Sequence, residues 1–96
     1  MYRILFADDD AIIRTAVNDY FSANGFDVTT AENGEEAVLY AGESEFDVII
    51  LDVMMPVTDG IFACRQIRKT TSAPVIFLSA LGEVLMLQSE VPLLPV

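Results

Sequence analysis

Short, nearly continuous apolar runs that end abruptly at acidic residues constrain the fold of this chain more than any other feature. Residues 2–7 end at three consecutive aspartates, and residues 46–51 end at Asp52. Runs without a polar face are expected for strands that are buried on both faces, as in a parallel sheet covered by helices. The polar residue after each run indicates where the strand reaches solvent. We therefore expect parallel strands with exposed carboxyl ends.

Helical periodicity fills the segments between the apolar runs. Residues 11–24 carry apolar residues at helical spacing, with Asp10 placed to cap the first turn and Gly25 placed to end the helix in a left-handed conformation. Asn33 opens a second helix that stops near residue 42, and Glu36 stands three residues after it, as in a capping box. Two helices are therefore predicted, each with its own start and stop signals.

The rest of the chain continues the alternation of strand and helix as far as residue 78. Residues 26–31 alternate apolar with polar, which favours a strand near a sheet edge, and residues 74–78 form a fourth apolar run that ends at Ser79. Between the third and fourth runs, residues 52–60 predict a loop that leads into a third helix with Ile61, Cys64 and Ile67 on one face. Alternating strands and helices imply right-handed crossovers and a parallel sheet.

Composition and charge exclude several classes of protein. The chain has 96 residues, which suits one domain, and its net charge of -10 opposes binding to nucleic acid or to an anionic membrane. The basic cluster of Arg65, Arg68 and Lys69 is interpreted as the solvated C-terminal end of a helix. Cys64 is the only cysteine and no apolar run approaches about 18 residues, so we expect a cytoplasmic protein that spans no membrane.

The strand ends carry the candidate site. If the first and third strands are neighbours, Asp8, Asp9 and Asp52 converge in one pocket, which is costly unless a cation screens them. Mg²⁺ suits this pocket because it needs only a few protein oxygens and leaves positions for phosphoryl oxygens. The alternative interpretation is that the aspartates only stabilise a helix N-terminus, and we favour it for Asp10 alone.

This arrangement suits phosphoryl transfer to an aspartate. A carboxylate can attack a phosphoryl group covalently, and a hydroxyl such as that of Ser79 can bond to one of its oxygens. A role as turn former is an equal alternative for Ser79. Cys64 is interpreted as a small core residue, because the sequence contains no histidine to activate it.

Four motifs in this order resemble the receiver domain of two-component response regulators: I-L-F-A-D-D-D at 4–10, V-I-I-L-D-V-M-M-P at 48–56, D-G at 59–60, and P-V-I-F-L-S-A at 74–80. The resemblance covers residues 1–83. It implies an α/β fold of the flavodoxin-like (CheY-like) type, a doubly wound parallel sheet in the order 2-1-3-4-5, incomplete here at the C-terminus.

The resemblance also implies roles for individual residues. Asp52 matches the phosphoacceptor, Asp8 and Asp9 match the acidic pair that binds Mg²⁺ together with Asp52, Met54 would offer its backbone carbonyl to the metal, and Ser79 matches the switch hydroxyl. Receivers take phosphate from a sensor histidine kinase or a small phosphodonor and lose it by slow self-catalysed hydrolysis. The resemblance therefore implies a phosphoprotein in signal transduction rather than an ordinary enzyme, and transcription regulation is a compatible output.

The chain departs from the family near Gly82. A complete receiver continues through a fourth helix, a fifth strand and a fifth helix, whereas residues 84–96 form an apolar tail with Pro92 and Pro95. The lysine that the family places after the fifth strand is missing, since Lys69 is the only lysine. We therefore expect a receiver-like domain over residues 1–83, an atypical tail over 84–96, and impaired output.

Alternatives to a phosphoacceptor follow from the same residues. A non-signalling interaction module on the receiver scaffold is favoured by the missing lysine. A phosphohydrolase is disfavoured because Met54 stands where such enzymes usually place a second acid, and a flavin protein because no Ser/Thr/Gly-rich phosphate loop follows the first strand. Residues 74–78 would be an unprotected edge, and the apolar tail could either cover its own sheet or cross to a partner. We favour the crossing and therefore also expect a homodimer or a domain-swapped oligomer.

Overall fold

The structure is a computed structural model that describes residues 1–52 and 60–78 in full, together with the backbone of residues 84–87. The strands are β1 (Arg3–Ala7), β2 (Asp27–Ala31), β3 (Val48–Asp52), β4 (Val75–Leu78) and β5 (Val84–Leu87). The helices within the described residues are α1 (Ala11–Ala23), α2 (Gly34–Glu43) and α3 (Gly60–Ile67). The predicted strands and helices up to residue 78 are thus confirmed in type and order.

The strands form one sheet in the order β2-β1-β3-β4-β5. The first four strands are parallel to one another, and β2 lies at an edge, as its alternating sequence predicts. In the register of the central strands, Ala7 pairs with Leu51, and Asp52 pairs with Leu78. This register aligns the carboxyl ends of β1, β3 and β4.

The fifth strand corrects two predictions. β5 runs antiparallel to β4, so the sheet is not wholly parallel, and it pairs along β4 from Val75 to Leu78, so this edge is not left unprotected. The reason is the short connection: only residues 79–83 separate the two strands, whereas a parallel crossover needs about a dozen residues or more. The prediction that the tail crosses to a partner is therefore wrong for residues 84–87, which pair within their own chain.

Local capping confirms where the first two helices begin and where α1 ends, whereas α2 runs through Gly42 to Glu43. Asp10 accepts hydrogen bonds from the N–H groups of Ile12 and Ile13 at 2.9 and 3.4 Å, and Gly25 ends α1 with a φ of 92°. Asn33 accepts a hydrogen bond from the Glu36 N–H at 2.8 Å. The Glu36 carboxylate bonds back to the N–H of Glu32, one residue before the position that a capping box prescribes.

Helices cover the two faces of the sheet unequally. α2 and α3 pack on one face over a core of fully buried side chains, which include Leu5, Ile49, Leu51, Val75 and Phe77. Cys64 is buried in this core, as predicted. On the opposite face α1 packs over β1 and β2, and none of its residues is buried. Side chains of β3 and β4 that alternate toward this second face are only half-buried: Val48, Ile50, Ile76 and Leu78.

The predicted basic cluster lies at the end of α3. Arg65 and Lys69 are exposed, in agreement with a solvated helix end, whereas Arg68 is half-buried and donates a hydrogen bond to the carbonyl of Thr71 at 3.1 Å. None of the helices within the described residues has the length and apolar character that a membrane span needs.

Candidate metal and phosphoacceptor site

The parallel register of β1 and β3 brings three carboxylates together at one end of the sheet. Because Ala7 pairs with Leu51, the next residues, Asp8 and Asp52, leave their strands side by side. One carboxylate oxygen from each of Asp8, Asp9 and Asp52 lies within 4.8 Å of the others. We call these three residues the acidic cluster.

Burial makes the acidic cluster electrostatically unfavourable. Asp8 is only 6% exposed, Asp52 is half-buried and Asp9 is exposed. Burial raises the pKa of Asp8 above its usual value, and the charges of Asp52 and Asp9 raise it further, while the hydrogen bond from the Asp10 N–H opposes the shift. The native fold therefore holds the ionised Asp8 carboxylate at a free-energy cost that a nearby cation would reduce.

The three consecutive aspartates have different surroundings. Asp8 Oδ1 accepts a hydrogen bond from the backbone N–H of Asp10 at 2.9 Å, which holds the carboxylate at the turn between β1 and α1. Asp10 caps α1 and is not in the acidic cluster, in agreement with the interpretation favoured from the sequence. Asp9 is left exposed beside the other two carboxylates.

Two predicted site residues, Met54 and Ser79, lie outside the described residues. The chain positions next to them are defined: Asp52 is the last residue of β3, and Leu78, which precedes Ser79, pairs with Asp52 in the sheet. Lys69 follows α3 and precedes β4, so it lies toward the opposite end of the sheet from the acidic cluster.

The donor set fits Mg²⁺. Three carboxylate oxygens within 4.8 Å are hard oxygen ligands of the kind that Mg²⁺ binds, and their mutual repulsion is relieved by a divalent cation. The remaining coordination positions would be available to water or to phosphoryl oxygens. The residues at the ends of β1 and β3 could therefore hold this metal.

Sequence reasoning missed Arg14, which contacts the backbone of the acidic cluster. Its guanidinium Nη1 donates a hydrogen bond to the carbonyl of Asp8 at 2.9 Å. A signal was present in the sequence, because a cation near a helix N-terminus is disfavoured by the helix dipole and so suggests a specific contact elsewhere.

Comparisons with known proteins agree with this fold. The family model described as "Response regulator receiver domain" matches residues 4–91. The transcriptional regulatory protein ResD of Bacillus subtilis is 46% identical over 81 residues, which cover 84% of this chain and 34% of ResD. The chain thus spans about a third of the length of the curated relatives it matches.

Solved receiver structures are similar over most of the chain. The receiver domain of the Francisella response regulator 1452 is 40% identical with a TM-score of 0.79, and the match covers 86% of this chain and 69% of that one. The response regulator TrrA of Thermotoga maritima, solved in complex with Mg(2+)-BeF, is 38% identical with a TM-score of 0.77, and the match covers 83% of this chain and 70% of that one. With its flavodoxin-like strand order and its matching family model, this chain belongs to the response regulator receiver domain family of two-component signalling.

Proposed function

We propose that this chain accepts a phosphoryl group on Asp52 with Mg²⁺ held in the acidic cluster. The observation that carries the proposal is the convergence of three carboxylate oxygens within 4.8 Å, one of them from the buried Asp8. Acids packed in this way need a cation, and a cation beside a strand-end aspartate is suited to phosphoryl transfer. The complex of the related TrrA with Mg(2+)-BeF supports the same chemistry here.

The transfer step places a new bond on Asp52. A carboxylate oxygen of Asp52 attacks the phosphorus of a phosphohistidine, the phosphorus–nitrogen bond breaks, and its electron pair stays on the imidazole of the donor. The product is an acyl phosphate on Asp52. When bound, Mg²⁺ would neutralise charge on the phosphoryl oxygens.

The other site residues support this acceptor. Asp8 and Asp9 would hold the metal together with Asp52, and Met54 would contribute its backbone carbonyl. Ser79 would donate its hydroxyl hydrogen to a phosphoryl oxygen, since it follows Leu78, the residue that pairs with Asp52. The parts for Met54 and Ser79 rest on their positions in the family motifs.

The proposed partner is a sensor histidine kinase in the cytoplasm. Small phosphodonors would serve as alternative donors, and slow self-catalysed hydrolysis would return Asp52 to its carboxylate form. The chain itself would bind neither nucleic acid nor membrane, given its net charge of -10. Because ResD is a transcriptional regulatory protein, we propose regulation of transcription as the output that this receiver serves.

Intact-mass analysis after treatment with a small phosphodonor tests this proposal. We expect one added phosphoryl group on the wild-type chain in Mg²⁺ and none in chelator. Asp52→Asn should abolish the addition. Asp47→Asn serves as the matched control, since Asp47 lies before β3 and accepts a hydrogen bond from Arg3 N–H. Phosphate that survives Asp52→Asn, or no phosphate on the wild type, would contradict the proposal.

A second candidate function is a non-signalling interaction module on the receiver scaffold. It is favoured by the only lysine, Lys69, lying toward the far end of the sheet from Asp52, and by the antiparallel β5. Loss of one preorganised contact to a developing anion costs about 3 kcal/mol, or roughly 10²-fold or more in rate. Intact Mg²⁺ affinity with absent phosphorylation would favour this second function.

We also propose that the chain assembles as a homodimer. On the α1 side, β3 and β4 present half-buried apolar side chains, and α1 itself exposes Ile12 and Tyr20 at 80% and 65%. Burial of about 400 Å² of such surface would contribute on the order of 10 kcal/mol before the cost of association. Sedimentation at tens of micromolar should show a dimer, and more of it at higher salt, because the net charge of -10 makes two chains repel. A clean monomer would contradict this.

A further inference from the structure

Arg14 lies at an unusual place for a cation. It stands in the first half of α1, where the helix dipole disfavours positive charge, yet only 17% of its side chain is exposed. Within α1 the half-buried residues are Arg14, Val17 and Phe21, which recur at helical spacing, so Arg14 is a cation on the face of the helix that packs over the sheet. The position therefore requires a specific polar partner.

The guanidinium of Arg14 connects α1 to the ends of β1 and β2. Nη1 donates a hydrogen bond to the backbone carbonyl of Asp8 at 2.9 Å, where β1 has just ended. Nη2 lies 3.9 Å from a carboxylate oxygen of Glu32, which follows β2. The Asp8 N–H in turn bonds to the carbonyl of Ala31 at 3.1 Å, so the two strand ends are held by both the backbone and Arg14.

We propose that Arg14 is a positioning residue for the metal site, which fixes the backbone of Asp8 so that its carboxylate faces Asp9 and Asp52. The proposal rests on the Mg²⁺ site proposed above. A planar guanidinium can hold one hydrogen-bond acceptor and one ion-pair partner in a fixed arrangement, which suits it to this bridging role. Groups that orient metal ligands commonly change metal affinity by 10- to 100-fold when they are removed.

Geometry and charge predict opposite effects of removing Arg14. As a cation near the acidic cluster, Arg14 repels Mg²⁺, so a purely electrostatic effect would make binding tighter once its charge is gone. As a support for the Asp8 backbone, its removal would make binding weaker. Its described hydrogen bond goes to the backbone carbonyl of Asp8, at the point where β1 ends. This contact favours positioning.

Mg²⁺ titration followed by calorimetry on the full chain tests the inference. We expect Arg14→Met to raise the Mg²⁺ Kd by roughly tenfold or more. The matched control is Arg3→Met. Arg3 also donates to a backbone carbonyl, that of Glu45 at 3.1 Å, and to a carboxylate, that of Asp27 at 3.2 Å, but it is the first residue of β1 and lies at the other end of this strand from the acidic cluster. Arg3→Met should lower the melting temperature and leave the Mg²⁺ Kd within about twofold of wild type.

Two further variants keep the test decisive if Arg14→Met does not fold. Arg14→Lys keeps the positive charge but loses the planar guanidinium with its fixed donors. Positioning therefore predicts a raised Kd, whereas a pure charge effect predicts no change in Kd. Glu32→Gln tests the second contact: it removes the charge of the ion pair at 3.9 Å, and it should raise the Kd by less than Arg14→Met does. An unchanged or lowered Kd in the Arg14 variants, or an equal rise in Arg3→Met, would overturn the inference. No Mg²⁺ binding by wild type would instead contradict the proposed function.

Discussion

Binding of Mg²⁺ should raise the stability of this fold, because the acidic cluster stores unfavourable electrostatic free energy. Carboxylate oxygens of Asp8 and Asp52 lie within 4.8 Å of each other. At an effective dielectric constant of about 20, two unit charges at that separation repel by about 3 kcal/mol. At a free Mg²⁺ concentration of 100 times the Kd, binding stabilises the native state by about 2.7 kcal/mol. For a domain of this size, the melting temperature should therefore rise by roughly 10–20 °C.

Thermal unfolding in chelator and in millimolar Mg²⁺ measures this rise. Asp8→Asn should melt higher than wild type in chelator, since one buried charge is gone, and should lose most of the response to Mg²⁺. Asp47→Asn should keep the full response, because Asp47 is not in the acidic cluster. Calcium and chelator serve as the controls for Mg²⁺. An unchanged melting temperature in wild type, or a response that survives in Asp8→Asn, would refute the reasoning.

Three further predictions concern pH, the core and the edge of the sheet. The native pKa of Asp8 lies above its usual value of 3.8, so its protonation favours folding at low pH; in chelator, the stability of wild type relative to Asp8→Asn should fall as pH rises above about 4, and a difference in stability that does not change with pH would contradict this. Phe77→Ala should lower the free energy of unfolding by about 3–5 kcal/mol, since Phe77 is 1% exposed, whereas Phe62→Ala at a 53% exposed position should cost under about 1 kcal/mol; equal losses in denaturant titrations would argue against the described core. Truncation after Gly82 removes β5 and should increase association in sedimentation experiments, because the β4 edge is then unpaired, while truncation after Leu87 should not.

The sequence predicts the first four strands and the convergence of acids because local and global signals agree there. Apolar runs that end at Asp8 and Asp52 require strands buried on both faces, and parallel strands place those ends at one edge. The capping roles of Asp10 and Asn33 could also be predicted, since a cap acts within a single turn.

Features that depend on contacts between residues far apart in the chain could not be predicted from the sequence pattern. The antiparallel pairing of β5 follows from the shortness of the connection, because residues 79–83 are too few for a parallel crossover, but the apolar tail carries no pattern that predicts this strand. The bridge from Arg14 to Asp8 joins residues on different elements, and nothing in helical periodicity indicates it. The division into residues 1–83 and 84–96 remains a prediction.

The central claim is that Asp52 carries the phosphoryl group, and borohydride reduction after phosphodonor treatment tests it most directly. An aspartyl acyl phosphate is reduced to homoserine, whereas an unmodified aspartate is not, so peptide mass analysis identifies the modified position. We expect homoserine at position 52 alone, formed in Mg²⁺ and not in chelator. Homoserine at position 8 or 9, or its absence from position 52 in a chain that binds Mg²⁺, would contradict the account.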